Sequence, residues 1–294
     1  MTDIRSRTVL ANDLEFGVLE AGTGPLALCL HGFPDSAHTW RHLLPALADA
    51  GFHAVAPFLR GFAPTGIPAD GGYGIAALAA DAVALHEALG GGGDAVLIGH
   101  DWGAEAAYLA AAHEPERWRR LVSLAIPPAG ADAALFSDYD QVKRFFYMWF
   151  FRDPLNFAEP VVAAGDLAFI DRLWADWSPG FDPGAHLDTV KACLRDPAHL
   201  TAAIGYYRAV GLPGGGAADP ARYAAYDESA GKPAPQPTLY LHGTQDGCIG
   251  AGLASLAGDF LAEGSRMGLI ENAGHFLHLE QPRDVGDQIL AWVS

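Results

Sequence analysis

The pentapeptide Gly99-His100-Asp101-Trp102-Gly103 follows an apolar run, Ala95-Val96-Leu97-Ile98. A strand that turns sharply into a helix strains the residue at its corner, and small neighbours on both sides let the backbone close. Gly99 and Gly103 are those neighbours, so Asp101 reads as the nucleophile of an elbow. Its type limits the chemistry. A serine here suits attack on a carbonyl, because the acyl ester it forms can be hydrolysed. A serine attacking a saturated carbon would leave an ether that water does not readily cleave. An aspartate attacking a saturated carbon forms an ester, and water can attack its carbonyl. Asp101 therefore points to substitution at an sp3 carbon, as in an epoxide or an alkyl halide, and away from esters and amides.

Such an ester needs a base to activate water, and the base needs an orienting acid. Asp246, in Leu241-His242-Gly243-Thr244-Gln245-Asp246-Gly247, is the acid candidate, with Glu271 as runner-up. His275, in Asn272-Ala273-Gly274-His275-Phe276, is the base candidate, with His278 as the alternative. The order nucleophile, acid, histidine is the one that such elbows carry. Asp246 and His275 each follow a predicted strand, and open α/β sheets place their sites at the carboxyl ends of their strands. Attack on the ester creates an oxyanion. The backbone N–H groups of Trp102 and of Phe33, in His31-Gly32-Phe33-Pro34, are placed to hold it. His31 supports that loop and does no acid–base work.

These residues need a frame. Strand-length apolar runs at 27–30, 52–56, 95–98 and 121–126 alternate with helical stretches at 36–50, 75–89 and 102–113. That alternation predicts an α/β fold: a parallel sheet with helices on both faces. Arg7 to Leu19 reads as an antiparallel strand pair turning at Asn12-Asp13. After Pro127-Pro128 the pattern breaks. Residues 129–232 are aromatic and helix-compatible, and predict a helical cap inserted into a core formed by 1–128 and 233–294. Sheet-like sequence returns at Pro237-Thr238-Leu239-Tyr240-Leu241. A helix near 250–263, a strand at 267–270 and a terminal helix from about Asp284 follow. Gly211 to Ala217 reads as a loop.

The chain has 294 residues, half of them apolar and 18% charged, with a formal net charge of -17. That suits a globular enzyme and disfavours nucleic acid and anionic membranes as partners. No apolar run reaches membrane-spanning length, and residues 1–7 lack the apolar centre of a signal peptide. The expected location is the cytoplasm. Cys29, Cys193 and Cys248 have no metal spacing, and Cys29 is expected in the core.

Together these residues resemble the α/β-hydrolase superfamily, and within it the epoxide hydrolase and haloalkane dehalogenase branch. The resemblance covers nearly the whole chain. It implies a mostly parallel eight-stranded sheet, no cofactor and no metal. Some relatives take their acid from after the strand that follows the elbow helix. That place here is Ile126-Pro127-Pro128, without a carboxylate, which favours Asp246.

Three features separate the two kinds of enzyme. Haloalkane dehalogenases commonly have Asn after His-Gly to hold the halide; this chain has Phe33, in the His-Gly-Phe-Pro form common in epoxide hydrolases. Epoxide hydrolases use two cap tyrosines on the epoxide oxygen. Tyr147-Met-Trp-Phe-Phe-Arg-Asp153-Pro154 and Gly205-Tyr206-Tyr207-Arg208 match the two segments, with Tyr147 and Tyr207 in the functional places and Tyr206 as competitor to Tyr207. Haloacid-processing relatives carry arginines one and four residues after the nucleophile, where this chain has Trp102 and Glu105. The stretch from Phe58 to Thr65 departs from the relatives' Asp-x-Arg-Gly-x-Gly-x-Ser, and Leu173 to Gly180 has no assigned role.

The resemblance implies an epoxide hydrolase that forms a vicinal diol from a small apolar epoxide and water, as a monomer or homodimer. Phe33, Trp102, Trp149, Phe150 and Tyr206 are expected against the substrate. The rivals are a haloalkane dehalogenase and a non-catalytic ligand-binding protein of the same fold.

Overall fold

The structure is a computed structural model that describes residues 2–128, 130–131, 136–155 and 157–294. Its centre is one eight-stranded sheet in the order β1-β2-β4-β3-β5-β6-β7-β8. The strands are β1 (Arg5–Ala11), β2 (Leu14–Ala21), β3 (Leu26–Leu30), β4 (His53–Pro57), β5 (Ala95–His100), β6 (Trp118–Leu124), β7 (Thr238–Gly243) and β8 (Arg266–Ile270). β1 pairs antiparallel with β2 and β2 antiparallel with β4; every other pairing is parallel. Asn12 and Asp13 both take positive φ, 47° and 59°, the geometry a two-residue hairpin turn demands. β3 and β5 are buried along their whole length, Cys29 included, as central strands covered on both faces must be.

Helices α1 (Leu43–Asp49), α2 (Ile75–Ala88) and α3 (Trp102–His113) connect β3 to β4, β4 to β5 and β5 to β6. The stretch predicted as one helix over 36–50 is divided. A 3-10 turn (Ala37–Arg41) precedes α1. The helix predicted near 250–263 is likewise a short α-turn (Ala251–Ala254) followed by a 3-10 turn (Ser255–Phe260). Glycines at 250, 252 and 258 remove side-chain contacts and raise the entropic cost of a continuous helix there.

Between β6 and β7 the described chain is helical. It forms α4 (Tyr139–Arg144), α5 (Phe146–Phe151), α6 (Ala158–Trp177, interrupted at 164–167), α7 (His186–Leu194) and α8 (Pro197–Ala209). The expected start of this insertion, at 129, lies outside the described residues. Asp196 caps α8 by accepting from the Ala198 N–H, with Pro197 at its first turn. Arg208 then ties α8 to its neighbours. Its Nε donates to the Phe151 carbonyl (3.0 Å) and its other nitrogens grip Glu159 (2.5 and 2.9 Å). No helix among the described residues is long and apolar enough to cross a membrane.

The stretch that departs from the relatives' motif is organised by Arg60. This buried guanidinium binds Asp81 of α2 with two bonds of 2.6 Å and donates to the Gly72 carbonyl. Asp81 also accepts from Asn12 of the hairpin turn (2.7 Å). Removing one partner of a buried pair strands the other charge, which typically costs about 3–5 kcal/mol. Asp81→Ala is therefore expected to lower the thermal midpoint sharply, as calorimetry would register.

Candidate active site

Asp101 stands between β5 and α3 with φ 51° and ψ -126°, the strained corner expected of an elbow. The elbow glycines are required by close approach. A Cβ on Gly103 would lie 2.2 Å from the Leu30 carbonyl oxygen, and one on Gly99 2.4 Å from that of Gly103. Gly32 has the same constraint from the other side, since its Cβ would fall 2.2 Å from Asp101 Oδ1. That space lets the loop after β3 bring the Phe33 N–H to Oδ1, at 2.7 Å. The loop is held by His31, whose Nδ1 donates to the Gly32 carbonyl and whose Nε2 accepts from the Leu59 N–H. Burial pushes His31 down to about 4, so it stays neutral in this role.

The loops after β7 and β8 bring Asp246 and His275 to the elbow. His275 Nδ1 donates to Asp246 Oδ2 at 3.0 Å, and its Nε2 faces Asp101 Oδ2 at 3.5 Å. The backbone N–H groups of Cys248 and Ile249 donate to Asp246 Oδ1. Burial works against both charges. His275, His242 and the Ile249 N–H nevertheless hold Asp246 below its ordinary range. Asp246 and Asp101 outweigh burial at His275 and push it up to about 10. The runner-up acid, Glu271, is exposed at the end of β8. The runner-up base, His278, bonds Thr39 Oγ1 through Nε2 (2.6 Å) and stacks on Trp40.

Beneath the elbow, His278 joins a buried hub with Asp35 and His100. Asp35 accepts from His186 Nε2 of α7 (2.9 Å), and His100 Nε2 donates to the His275 carbonyl (3.0 Å). Burial pushes His100 down to about 4, so it stays neutral, while the Asp35–His186 bond ties the helical stretch after β6 to this hub.

A cavity of about 210 Å³ opens over Asp101. Tyr147 of α5 and Tyr207 of α8 enter it from the insertion, their rings 5.5 Å apart and nearly perpendicular. Both hydroxyls are buried. Burial and the nearby Asp101 charge push both well above the ordinary tyrosine range, so both hydroxyls keep their protons. Tyr147 Oη lies 3.4 Å from Cys248 Sγ, while Tyr207 packs edge-on against Trp102 and Tyr147.

The aromatic residues expected against a substrate are dispersed. Trp102 lines the cavity. Phe33 packs beneath it, edge-on to Phe151 and Tyr207. Trp149 is half exposed, and Phe150 stacks on Phe169. Tyr206 donates to the Arg60 carbonyl (2.7 Å) and borders a neighbouring cavity of about 340 Å³. α5 turns only Tyr147 and Met148 toward Asp101, so the apolar walls come instead from Ile126, Phe136, Phe145, Val210 and Ile249.

The unassigned stretch from Leu173 to Gly180 is a clamp on the histidine loop. The Trp177 carbonyl accepts from the N–H groups of both Gly247 and His275, each at 3.0 Å. The Trp177 ring lies against His275 and Tyr147. Ser178 bonds Glu280 and the Phe276 N–H, and Trp174 stacks on Phe276 while donating to the Pro34 carbonyl. α4 grips the acid loop similarly. Gln141 bonds the Cys248 carbonyl and the Gly250 N–H, and Arg144 donates to the Asp246 carbonyl. The only forward signal was aromatic density, which does not say which loop an indole will meet.

Residues 25–282 match the alpha/beta hydrolase fold family. The chain is 30% identical to epoxide hydrolase A of Mycobacterium tuberculosis (strain ATCC 25618 / H37Rv), over 98% of its own length and 97% of the relative's. It is 31% identical to fluoroacetate dehalogenase of Burkholderia sp, over 70% and 69%. Among solved structures, epoxide hydrolase VrEH1 of Vigna radiata shares the fold with a TM-score of 0.79, at 24% identity over 99% of this chain and 98% of that one. The chain therefore belongs to the α/β-hydrolase family, on the epoxide hydrolase branch that its full-length relative represents.

Proposed function

We propose that the protein hydrolyses apolar epoxides to vicinal diols through a covalent ester on Asp101, with residues 129–232 as the cap over the site. The observation that carries this reading is the pair of buried tyrosine hydroxyls, Tyr147 and Tyr207, in one cavity with Asp101. A strained ether opens readily when its leaving oxygen receives a proton. A departing halide needs none, so a dehalogenase has no use for the pair. Glu105 on the same cavity wall also opposes a substrate carboxylate. That speaks against the halo-acid reading which the dehalogenase relative suggests.

Asp101 Oδ2 attacks an epoxide carbon while the tyrosines bind the oxygen. The C–O bond breaks as the new ester bond forms, and a tyrosine supplies the proton. Oδ1 becomes the ester carbonyl oxygen, already held by the Phe33 N–H, with the Trp102 N–H as second donor once the oxyanion forms. His275, oriented by Asp246, takes a proton from water. The hydroxide attacks the ester carbonyl and releases the diol. No cofactor takes part.

Product analysis with styrene oxide and, separately, 1,2-dibromoethane tests this. Diol from the epoxide without bromide release is the expected result. Bromide release with an inert epoxide would make the enzyme a dehalogenase and the tyrosines packing residues.

A further inference from the structure

We propose that Cys248 is a positioning residue for Tyr147: its S–H donates to the Tyr147 hydroxyl oxygen and leaves that hydroxyl's proton directed at the substrate oxygen. The inference rests on the epoxide reading above and distinguishes two tyrosines that the sequence presents as equivalent.

The Cys248 backbone is fixed on both sides. Its N–H donates to Asp246 Oδ1 (2.7 Å) and its carbonyl accepts from Gln141 Nε2 (2.7 Å). The side chain is thereby aimed into the cavity, with Sγ 3.4 Å from Tyr147 Oη. Burial, then the Asp246 and Asp101 carboxylates, push the thiol well above its ordinary range. It therefore stays S–H and serves as a weak donor, not as a nucleophile. Sulfur is also a poor acceptor. The thiol proton is therefore the one shared in this contact, and the Tyr147 proton is left for an epoxide oxygen. Tyr207, buried in the same cavity, packs instead against Trp102 and the Tyr147 ring.

The difference matters when the epoxide opens. As Tyr147 gives its proton to the leaving oxygen, negative charge develops on Oη, and S–H donation stabilises it. Hydrogen bonds to charge are stronger than those to neutral groups. Cys248 keeps its proton throughout. Tyr147 recovers its own from the one that water yields to His275 during ester hydrolysis, so the cycle closes with water as the only co-reactant.

The test is single-turnover alkylation by styrene oxide in Cys248→Ala and Cys248→Ser, each with Tyr147 intact and with Tyr147→Phe. A hydrogen bond of this kind is worth about a five- to tenfold change in rate. Cys248→Ala is expected to slow alkylation by that factor with substrate affinity unchanged. Cys248→Ser, which keeps a donor, should restore it. With Tyr147→Phe in place, Cys248→Ala should cause no further loss, because the two act as a unit. In the infrared, the S–H stretch lost in Cys248→Ala should shift in Tyr147→Phe.

Wild-type alkylation in Cys248→Ala would overturn the inference. So would a loss that persists in full without the Tyr147 hydroxyl, which would make Cys248 packing alone. If the unaltered protein makes no diol, the epoxide reading fails instead, and the infrared shift still decides whether the thiol donates to Tyr147.

Discussion

His275→Gln is expected to consume one equivalent of epoxide and then stop. Asp101 needs no base to attack a strained ring, so alkylation proceeds. Hydrolysis of the ester does need one, because water must lose a proton as it attacks. General base catalysis typically contributes about 10²–10⁴-fold, and the rate of ester hydrolysis should fall by that order. Intact-protein mass spectrometry should then show the protein plus one substrate mass, and peptide mapping should place the adduct on Asp101. Asp101→Ala should carry no adduct and form no diol. An adduct elsewhere, or full diol formation by Asp101→Ala, would overturn the covalent route.

The charges around His275 add a pH dependence to this result. In the free protein the imidazolium lies between two carboxylates and keeps its proton up to about pH 10. Alkylation converts Asp101 into a neutral ester and removes one of the two charges that raise the value. The proton is then released at lower pH, and His275 becomes a base only after alkylation, in time for the hydrolysis step that requires one. Ester hydrolysis should slow as pH falls through the His275 value of the alkylated protein, and that midpoint should lie below the one found for the free protein by NMR titration of the imidazole.

Much of this arrangement is legible in the sequence because it depends on local backbone demands. The elbow shows as two glycines around Asp101, and the geometry gives the reason: Gly103 touches the β3 backbone and Gly32 touches Asp101 itself. The hairpin shows as Asn12-Asp13 because few residues tolerate two successive positive φ values. Asp246 and His275 show by their positions after strands. What stays hidden depends on which side chain reaches across the fold. Nothing in the local spacing of Phe146-Tyr147-Met148-Trp149-Phe150 says that the helix turns Tyr147 inward and leaves Trp149 half exposed. Nor does Trp177 announce that its carbonyl will bridge the Asp246 and His275 loops. Cys248 reads as an isolated thiol until the fold sets it against Tyr147.

The tyrosine pair makes the second large prediction, and it separates activity from stability. Replacing both Tyr147 and Tyr207 by Phe removes the proton donors while keeping the rings that pack on Trp177, Phe33 and Trp102. Epoxide opening should slow by about 10²–10⁴-fold, the usual range for general acid catalysis. Hydrolysis of an ester already formed should be unchanged, because it depends on His275 and Asp246. Tyr207→Phe alone should slow opening without lowering the thermal midpoint, because the ring keeps its contacts with Phe33, Trp102 and Tyr147. A fall in the midpoint that accounts for the lost activity would make Tyr207 a packing residue, and full activity in the variant would mean that the epoxide oxygen is not its target.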